Sequence, residues 1–248
     1  MSGFRVLVTR PQPACHGTAA RVQELGMTAI ELPVTEIVRD GRGIEAALAG
    51  DWSAVALTSA NAVFAAADEI HRWHRLPAYA VGRRTGDAAR QAGFTDVRVA
   101  DGEGVALAGM IGDDVAAGKL FARRESPLLY LAGRPRASDF EKGLADASVP
   151  FSVMECYVAR PVAYDADVLA RTFARPIDCV LFYSRETARA FFRLIAQAGL
   201  RDQFRVRRIV CLSDKVVTGL PAALRDGALV ATSPSEAAIL ELLAAMRE

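Results

Sequence analysis

The chain has 248 residues and nearly balanced charge, with 30 Lys plus Arg against 29 Asp plus Glu. At about 100 to 200 residues per domain, this length predicts one large domain or two small ones. The balanced charge argues against nucleic acid or a membrane surface as a partner. No apolar run approaches the roughly 18 residues of a membrane span. Four scattered cysteines without a C-x-x-C pair argue against disulfides and a structural zinc site.

The N-terminal part of the chain predicts a strand-helix-strand unit. Its start, MSGFRVLVTRP, becomes a charged strand within a few residues and is not expected to be a signal peptide, so we expect a cytoplasmic protein. Residues 5–9 predict a strand, and residues 15–25 show helical spacing before Gly26 stops it. An extended run from Ile30 to Val38, interrupted by Pro33, completes the unit.

The middle of the chain alternates short apolar runs with helical segments, which is typical of parallel sheets covered by helices. We therefore predict an α/β fold. The predicted strands are 54–58, 78–81, 96–99 and 128–132, and the predicted helices are 44–48, 61–70, 85–92, 105–114 and 138–147.

A second extended run, FSVMECYVARPV from Phe151 to Val162, follows these elements. Its residues are strand formers, and Pro161 lacks the N–H needed to continue a ladder. We interpret this run and the run Ile30 to Val38 as the two crossings of a hinge between two compact units. Tyr157 places a phenol in a crossing where packing alone needs no polar ring.

The second half of the chain repeats the first at a nearly constant offset. Thr9-Arg10-Pro11 corresponds to Gly133-Arg134-Pro135 at an offset of 124 residues (133 minus 9). A steady offset over most of the chain predicts two similar units. The further matched pairs are Thr58-Ser59 with Tyr183-Ser184, Val81-Gly82 with Leu212-Ser213, and Ala100 with Ala231.

The matched positions follow strands and precede helices, which is where open α/β sheets bind ligands. Free N–H groups at a helix start attract anions, and a neighbouring Arg adds a planar charged fork. Cations at matched turns of two units predict a ligand with several carboxylates or phosphates. The candidate substrate-binding residues are Arg10, Thr58, Ser59, Asn61, Gly82, Arg83, Arg84, Thr85, Gly133, Arg134, Ser184, Arg185, Ser213 and Lys215.

Some of these serines have a simpler interpretation as helix caps. For Ser233 capping is the preferred interpretation, because Ser233-Pro234-Ser235-Glu236 reads as a capping box with Pro at the first helical position.

Common alternative sites fail on spacing. The run Gly112 to Leu120 does not match a phosphate-binding loop, and the glycines near 102–109 do not match the dinucleotide pattern. His71 and His74 stand at a predicted helix end beside arginines, which favours a solvated helix end over a metal site. No Ser or Cys occupies a recognisable nucleophile setting.

Taken together, the motifs of this chain resemble the uroporphyrinogen-III synthase family of tetrapyrrole biosynthesis. The resemblance covers nearly the whole chain, and it depends on the order and spacing of the motifs more than on any one of them. The motifs are VLVTRP (6–11), LTSANAV (57–63), AVGRRTGDAARQAGF (80–94), LAGRPRASDFEKGL (131–144), CYVARP (156–161) and ATSPSEAAILELL (231–243).

The resemblance implies a discontinuous domain of residues 1–34 plus 162–248 and an inserted domain of residues 40–155, with 35–39 and 156–161 as hinge strands. It also implies closure of the linear tetrapyrrole hydroxymethylbilane, with inversion of the last ring and loss of water, by a monomer without cofactor or metal. The carboxylates of that substrate suit the cations at the turns. In this family Tyr157 matches a tyrosine thought to assist departure of the hydroxyl group, so we expect it to face the cleft between the domains.

One turn departs from the family. Where the family has Gly followed by Thr-Thr or Thr-Ala, this chain has Ser213-Asp214-Lys215-Val216, so the threonine hydroxyl is missing. Two other functions stay open from the residues alone. A binding protein for an anionic metabolite would share the hinge and the cations, and a nucleotide-dependent transferase would share the sheets.

Overall fold

The computed structural model describes residues 3–101, 103–201 and 204–246, and within them strands and helices alternate along the chain. The strands are β1 (Arg5–Val8), β2 (Thr28–Glu31), β3 (Thr35–Arg39), β4 (Ala54–Leu57), β5 (Ala78–Val81), β6 (Val97–Ala100), β7 (Leu128–Arg134), β8 (Phe151–Pro161), β9 (Ile177–Phe182), β10 (Val206–Cys211) and β11 (Ala228–Val230). The α-helices are α1 (Ala14–Glu24), α2 (Gly41–Leu48), α3 (Ala60–Ala65), α4 (Gly82–Gln91), α5 (Gly104–Ala116), α6 (Asp139–Asp146), α7 (Ala166–Phe173), α8 (Arg185–Gln197), α9 (Asp214–Val217) and α10 (Glu236–Ala245). None of the helices within the described residues is both long and apolar enough to cross a membrane.

The chain divides into two compact units. Unit 1 contains Met1–Glu36 and Arg160–Glu248, and unit 2 contains Ile37–Ala159. The chain therefore passes between the units within β3 and near the end of β8, both of which lie in the two extended runs of the sequence.

Unit 1 is built on a parallel sheet in the order β2-β1-β9-β10-β11. Both faces of this sheet are covered, because alternate residues of β1 enter different cores. Val6 and Val8 pack with α1 and α10 on one face, and Leu7 packs with α7 and α8 on the other. A strand buried on both faces reads as a continuous apolar run, as RVLV does.

Unit 2 is built on a six-stranded sheet in the order β3-β8-β7-β4-β5-β6, in which the pairs from β8 to β6 are parallel. Val55 and Leu57 enter a core with α2, α3 and α4. Ala54 and Ala56 enter the core on the opposite face with α5 and α6.

The two sheets share one strand order. The series β2-β1-β9-β10-β11 of unit 1 corresponds to β8-β7-β4-β5-β6 of unit 2. Along the chain, unit 1 begins this series at β1, whereas unit 2 begins it at β4. This explains the offset of the sequence repeat, because β1 is equivalent to β7 and β9 is equivalent to β4. The predicted fold class, similar α/β units with parallel sheets flanked by helices, is confirmed.

Two predicted elements were wrong in their extent. The run Ile30 to Val38 is not one strand, because β2 and β3 belong to different sheets and are separated around Pro33, which has no N–H to offer. The helix predicted over 61–70 ends at Ala65 and is followed by turns and a 3-10 turn at Ile70–Arg72. Ile70 and Trp73, three residues apart, lie on the same side of this turn, and both are buried.

Candidate active site

The carboxyl edge of the unit 2 sheet gathers most of the polar residues predicted for a site. The chain runs outward from β4 through β5 to β6, and β7 then returns to the other side of β4. Helices α3 and α4 therefore pack together on one face, and α5 and α6 on the other. The connections that follow β4 and β7 therefore run to opposite faces of the sheet. Such a switch point is where open α/β sheets bind ligands.

Tyr157 lies beside this switch point because β8 contains a bulge. Ala132 pairs with Glu155, whereas Gly133 pairs with Tyr157, so Cys156 is the extra residue. Along a regular strand Cys156 and Tyr157 would face opposite sides of the sheet. The bulge instead sends both side chains into the core on the α3 and α4 face, and Tyr157 is left 9% exposed.

The ring of Tyr157 covers Gly133. A Cβ atom at Gly133 would lie 2.1 Å from Cζ and 2.5 Å from the hydroxyl oxygen of Tyr157, far inside van der Waals contact. Only glycine therefore fits this position on β7 while the ring stays where it is.

Tyr157 packs in one core with Ala60 and Ala62, which flank Asn61 at the start of α3. Burial raises the pKa of that phenol, and hydrogen bonding from Ser59 and from Asn61 offsets part of the rise. Ser59 is also the N-cap of α3, accepting a hydrogen bond from the backbone N–H of Asn61 at 3.2 Å. The phenol is thus protonated at neutral pH and has polar neighbours that stabilise its ionised form.

Thr58 is held from the opposite face of the sheet. Its Oγ1 lies 2.9 Å from the hydroxyl of Tyr130, a β7 residue buried in the core beneath α5 and α6. Burial raises the pKa of Tyr130 to about 12, so this phenol also keeps its proton at neutral pH.

Two arginines at and just after the end of β7, Arg134 and Arg136, are paired with carboxylates. Arg136 donates to Glu155 at 2.7 Å and to Glu141 at 2.6 Å, and Arg134 lies 3.5 Å from the second oxygen of Glu155. Of these two arginines, only Arg134 was predicted to bind a carboxylate ligand, and a carboxylate of this chain, Glu155, is already paired with it.

The turn Gly82-Arg83-Arg84-Thr85 follows β5, the strand beside β4. Gly82 has φ of +72°, a conformation that favours glycine, and it opens α4. Thr85 is buried, whereas Arg83 and Arg84 are exposed. The turn therefore presents two arginines at the start of a ten-residue helix.

In unit 1 Arg10, which corresponds to Arg134 of unit 2, is buried and paired. Its guanidinium donates to Glu236 at 2.9 Å and to Thr18 at 3.0 Å, and it lies 3.9 Å above the ring of Tyr183. Arg21 pairs with the other oxygen of Glu236. This contact set ties α1 to the first turn of α10.

The remaining predicted residues follow β9 and β10 in unit 1. Ser184 caps α8, accepting from the N–H of Thr187 at 3.1 Å, and Arg185 pairs with Glu186. Ser213 precedes α9, a single turn that contains Lys215, and makes no side-chain capping bond.

The cap predicted at Ser233 was wrong. Helix α10 begins at Glu236, and Ser235 is its N-cap, accepting from the N–H of Ala238 at 3.2 Å. Pro234 therefore precedes the cap. Glu236 does not form a capping box with Ser233, and its carboxylate instead binds Arg10 and Arg21.

Among the residues of these clusters that were not predicted from the sequence are Tyr130, Glu155 and Glu236. Tyr130 carried a usable signal, since a phenol in the apolar strand LLYLAG must find a partner once buried. The carboxylates carried none, because acidic residues are common on any surface.

The fold and this edge define a two-unit α/β protein of the doubly wound, parallel-sheet class, with a phenol at a switch point. The family model described as uroporphyrinogen-III synthase HemD matches residues 17–241. The chain belongs to the uroporphyrinogen-III synthase family, and the resemblance found in its motifs is confirmed.

Two solved structures share the fold. The uroporphyrinogen-III synthetase of Helicobacter pylori aligns over 99% of this chain and 100% of its own, with 16% identity and a TM-score of 0.61. A mutant uroporphyrinogen III synthase of Thermus thermophilus aligns over the same shares, with 16% identity and a TM-score of 0.58. A comparison with curated protein sequences found no match.

Proposed function

We propose that this protein is a uroporphyrinogen-III synthase that closes hydroxymethylbilane with inversion of the terminal pyrrole ring and loss of water. The observation that carries the proposal is the phenol of Tyr157 at the unit 2 switch point, within a chain that matches the family over residues 17–241. Family membership supports an enzyme over a binding protein without chemistry.

The phenol has the properties of a proton donor to a departing hydroxyl group. When the C–O bond of the hydroxymethyl group breaks, the electron pair leaves with oxygen, and the phenolic proton converts it to water. Ser59 and Asn61 then stabilise the phenolate, as their effect on the pKa of Tyr157 indicates. The proton that the closing ring releases restores the phenol. Such a donation contributes roughly 10²- to 10⁴-fold to a rate.

Orientation supplies the remainder of the rate and the choice of product. An electron-rich pyrrolylmethyl carbon loses hydroxide readily, so the chain must mainly hold the substrate curled with its last ring turned. Preference for one closure by a hundredfold needs only about 2.7 kcal/mol. This magnitude is within reach of a few placed hydrogen bonds and ion pairs.

The substrate carboxylates suit the cations of the carboxyl edge. Arg83 and Arg84 extend from the start of α4, and Arg134 stands beside the Tyr157 strand. We infer that a substrate carboxylate replaces Glu155 at Arg134, exchanging one ion pair for another. Because Arg10 is already paired in a buried site, we assign it to holding the unit 1 edge together.

The product isomer tests the function. Purified protein incubated with hydroxymethylbilane should give uroporphyrinogen III, with the same rate after dialysis against a chelator, because the proposed steps need no metal. Accumulation of the isomer without ring inversion, at the rate seen without protein, would contradict the proposal and favour a binding protein.

A further inference from the structure

Tyr130 is a fixed point beneath the proposed site. Its ring is 1% exposed and packs edge-on against Phe140, with centroids 4.8 Å apart and planes at 78°. Core packing on β7 therefore sets where its hydroxyl lies. That hydroxyl meets Thr58 Oγ1 at 2.9 Å, at the end of the neighbouring strand β4.

Thr58 begins the short connection that carries Ser59 and Asn61. Strand β4 ends at Leu57 and α3 begins at Ala60, so only residues 58 and 59 join them. The hydrogen bond at Thr58 fixes one half of this connection. The other half, Ser59, leads into α3, whose Ala60 and Ala62 pack in the same core as Tyr157. A buried network of this kind rigidifies the groups it joins.

The two phenols reach the connection from opposite faces of one sheet. Tyr130 belongs to the core under α5 and α6, and Tyr157 belongs to the core under α3 and α4. Tyr130 lies on β7 three residues before Gly133, the residue that the Tyr157 ring covers. The packing of the Tyr130 ring does not depend on its hydroxyl, because phenylalanine would fill the same space.

We propose that Tyr130 is a positioning residue, whose hydroxyl holds Thr58 so that Ser59 and Asn61 stay aligned on the Tyr157 phenol. The inference rests on the proposed function of Tyr157. It assigns a role in the reaction to a residue that the substrate does not touch.

The test compares turnover of hydroxymethylbilane by Tyr130→Phe, Thr58→Val and the double variant. Each single change removes the same hydrogen bond from one side while keeping the shape of the side chain. We expect each to lower kcat about tenfold, equivalent to about 1.4 kcal/mol, with KM within twofold of wild type. The double variant should be no slower than the slower single variant, because both act through one bond.

Tyr79→Phe is the matched control. Tyr79 is another fully buried tyrosine of the same core, on β5, and its hydroxyl bonds Asp114 at 2.9 Å and Arg98 at 2.7 Å. Its loss should lower the melting temperature at least as much as Tyr130→Phe does, while kcat stays at the wild-type value.

The outcomes distinguish a failure of the proposed function from a failure of the positioning role of Tyr130. A wild-type protein that forms no uroporphyrinogen III contradicts the proposed function and the positioning role with it. An active wild type with an unchanged kcat in Tyr130→Phe contradicts the positioning role alone. Equal kcat losses in Tyr130→Phe and Tyr79→Phe, or additive losses in the double variant, would also overturn it. If Tyr130→Phe fails to fold, Thr58→Val alone decides, by the same kcat and KM criteria.

Discussion

The ring of Tyr157 lies over Gly133 so closely that a methyl group at Gly133 would overlap its Cζ atom, at 2.1 Å. The register shift beside Cys156 makes this contact possible, because it turns Tyr157 toward the face that Gly133 leaves open. The glycine and the phenol therefore form one structural feature.

We predict that Gly133→Ala displaces the Tyr157 ring. The rate of uroporphyrinogen III formation should fall at least tenfold, and the free energy of unfolding should fall by about 1 to 3 kcal/mol for overpacking. Gly109→Ala is the control, because Gly109 lies within α5 and a Cβ there meets nothing within 4 Å. It should leave the rate unchanged and add up to about 1 kcal/mol of stability. A Gly133→Ala protein with wild-type rate would disprove the contact's importance.

The sequence predicted the sheets and turns but not this contact. The matched offsets and apolar runs were sufficient to predict the sheets, because a parallel strand is buried on both faces and is therefore apolar along its length. The bulge cannot be predicted from FSVMECYV alone, because it arises from the way β8 pairs with β7. For the same reason Ser59 was predicted at its turn without its partner Tyr157. Arg10 as a ligand contact stays a prediction, and its pairing with Glu236 could not be predicted because it joins residues 226 apart in the chain.

Ser59 performs two functions in this account, and a second serine separates them. Ser59→Ala removes the cap of α3, which costs about 1 kcal/mol of stability, and removes a hydrogen-bonding group from the Tyr157 phenol. Ser235→Ala removes an equivalent cap, with the same 3.2 Å bond, from α10. Both variants should lose similar stability in urea, but only Ser59→Ala should slow turnover, about fivefold to tenfold. Equal rates in the two variants would reduce Ser59 to a helix cap.

Buried thiols predict a loss of stability in alkali. Burial raises the pKa of Cys15, Cys156, Cys179 and Cys211 to about 12. An unfolded thiol ionises near pH 8.5, so above that pH the unfolded chain loses protons that the folded chain retains. The stabilisation is therefore complete below about pH 8.5 and is lost progressively toward pH 12.

Urea unfolding under reducing conditions at pH 8, 9 and 10 checks this expectation. The free energy of unfolding should decline by about 1.4 kcal/mol per pH unit for each thiol once its unfolded form ionises. Cys211→Ala should show a shallower decline than wild type. A free energy of unfolding that stays constant from pH 8 to pH 10 would show that the thiols are not buried as described.

The most direct measurement of the central claim is the rate of uroporphyrinogen III formation by Tyr157→Phe at saturating hydroxymethylbilane. The change keeps the ring over Gly133 and removes only the hydroxyl group that carries the proton. We predict a fall of about tenfold or more, at least about 1.4 kcal/mol of barrier. The free energy of unfolding should fall by no more than about 1 kcal/mol for the lost hydrogen bond. A Tyr157→Phe protein that forms uroporphyrinogen III at the wild-type rate would contradict the account, leaving Tyr157 as a packing residue.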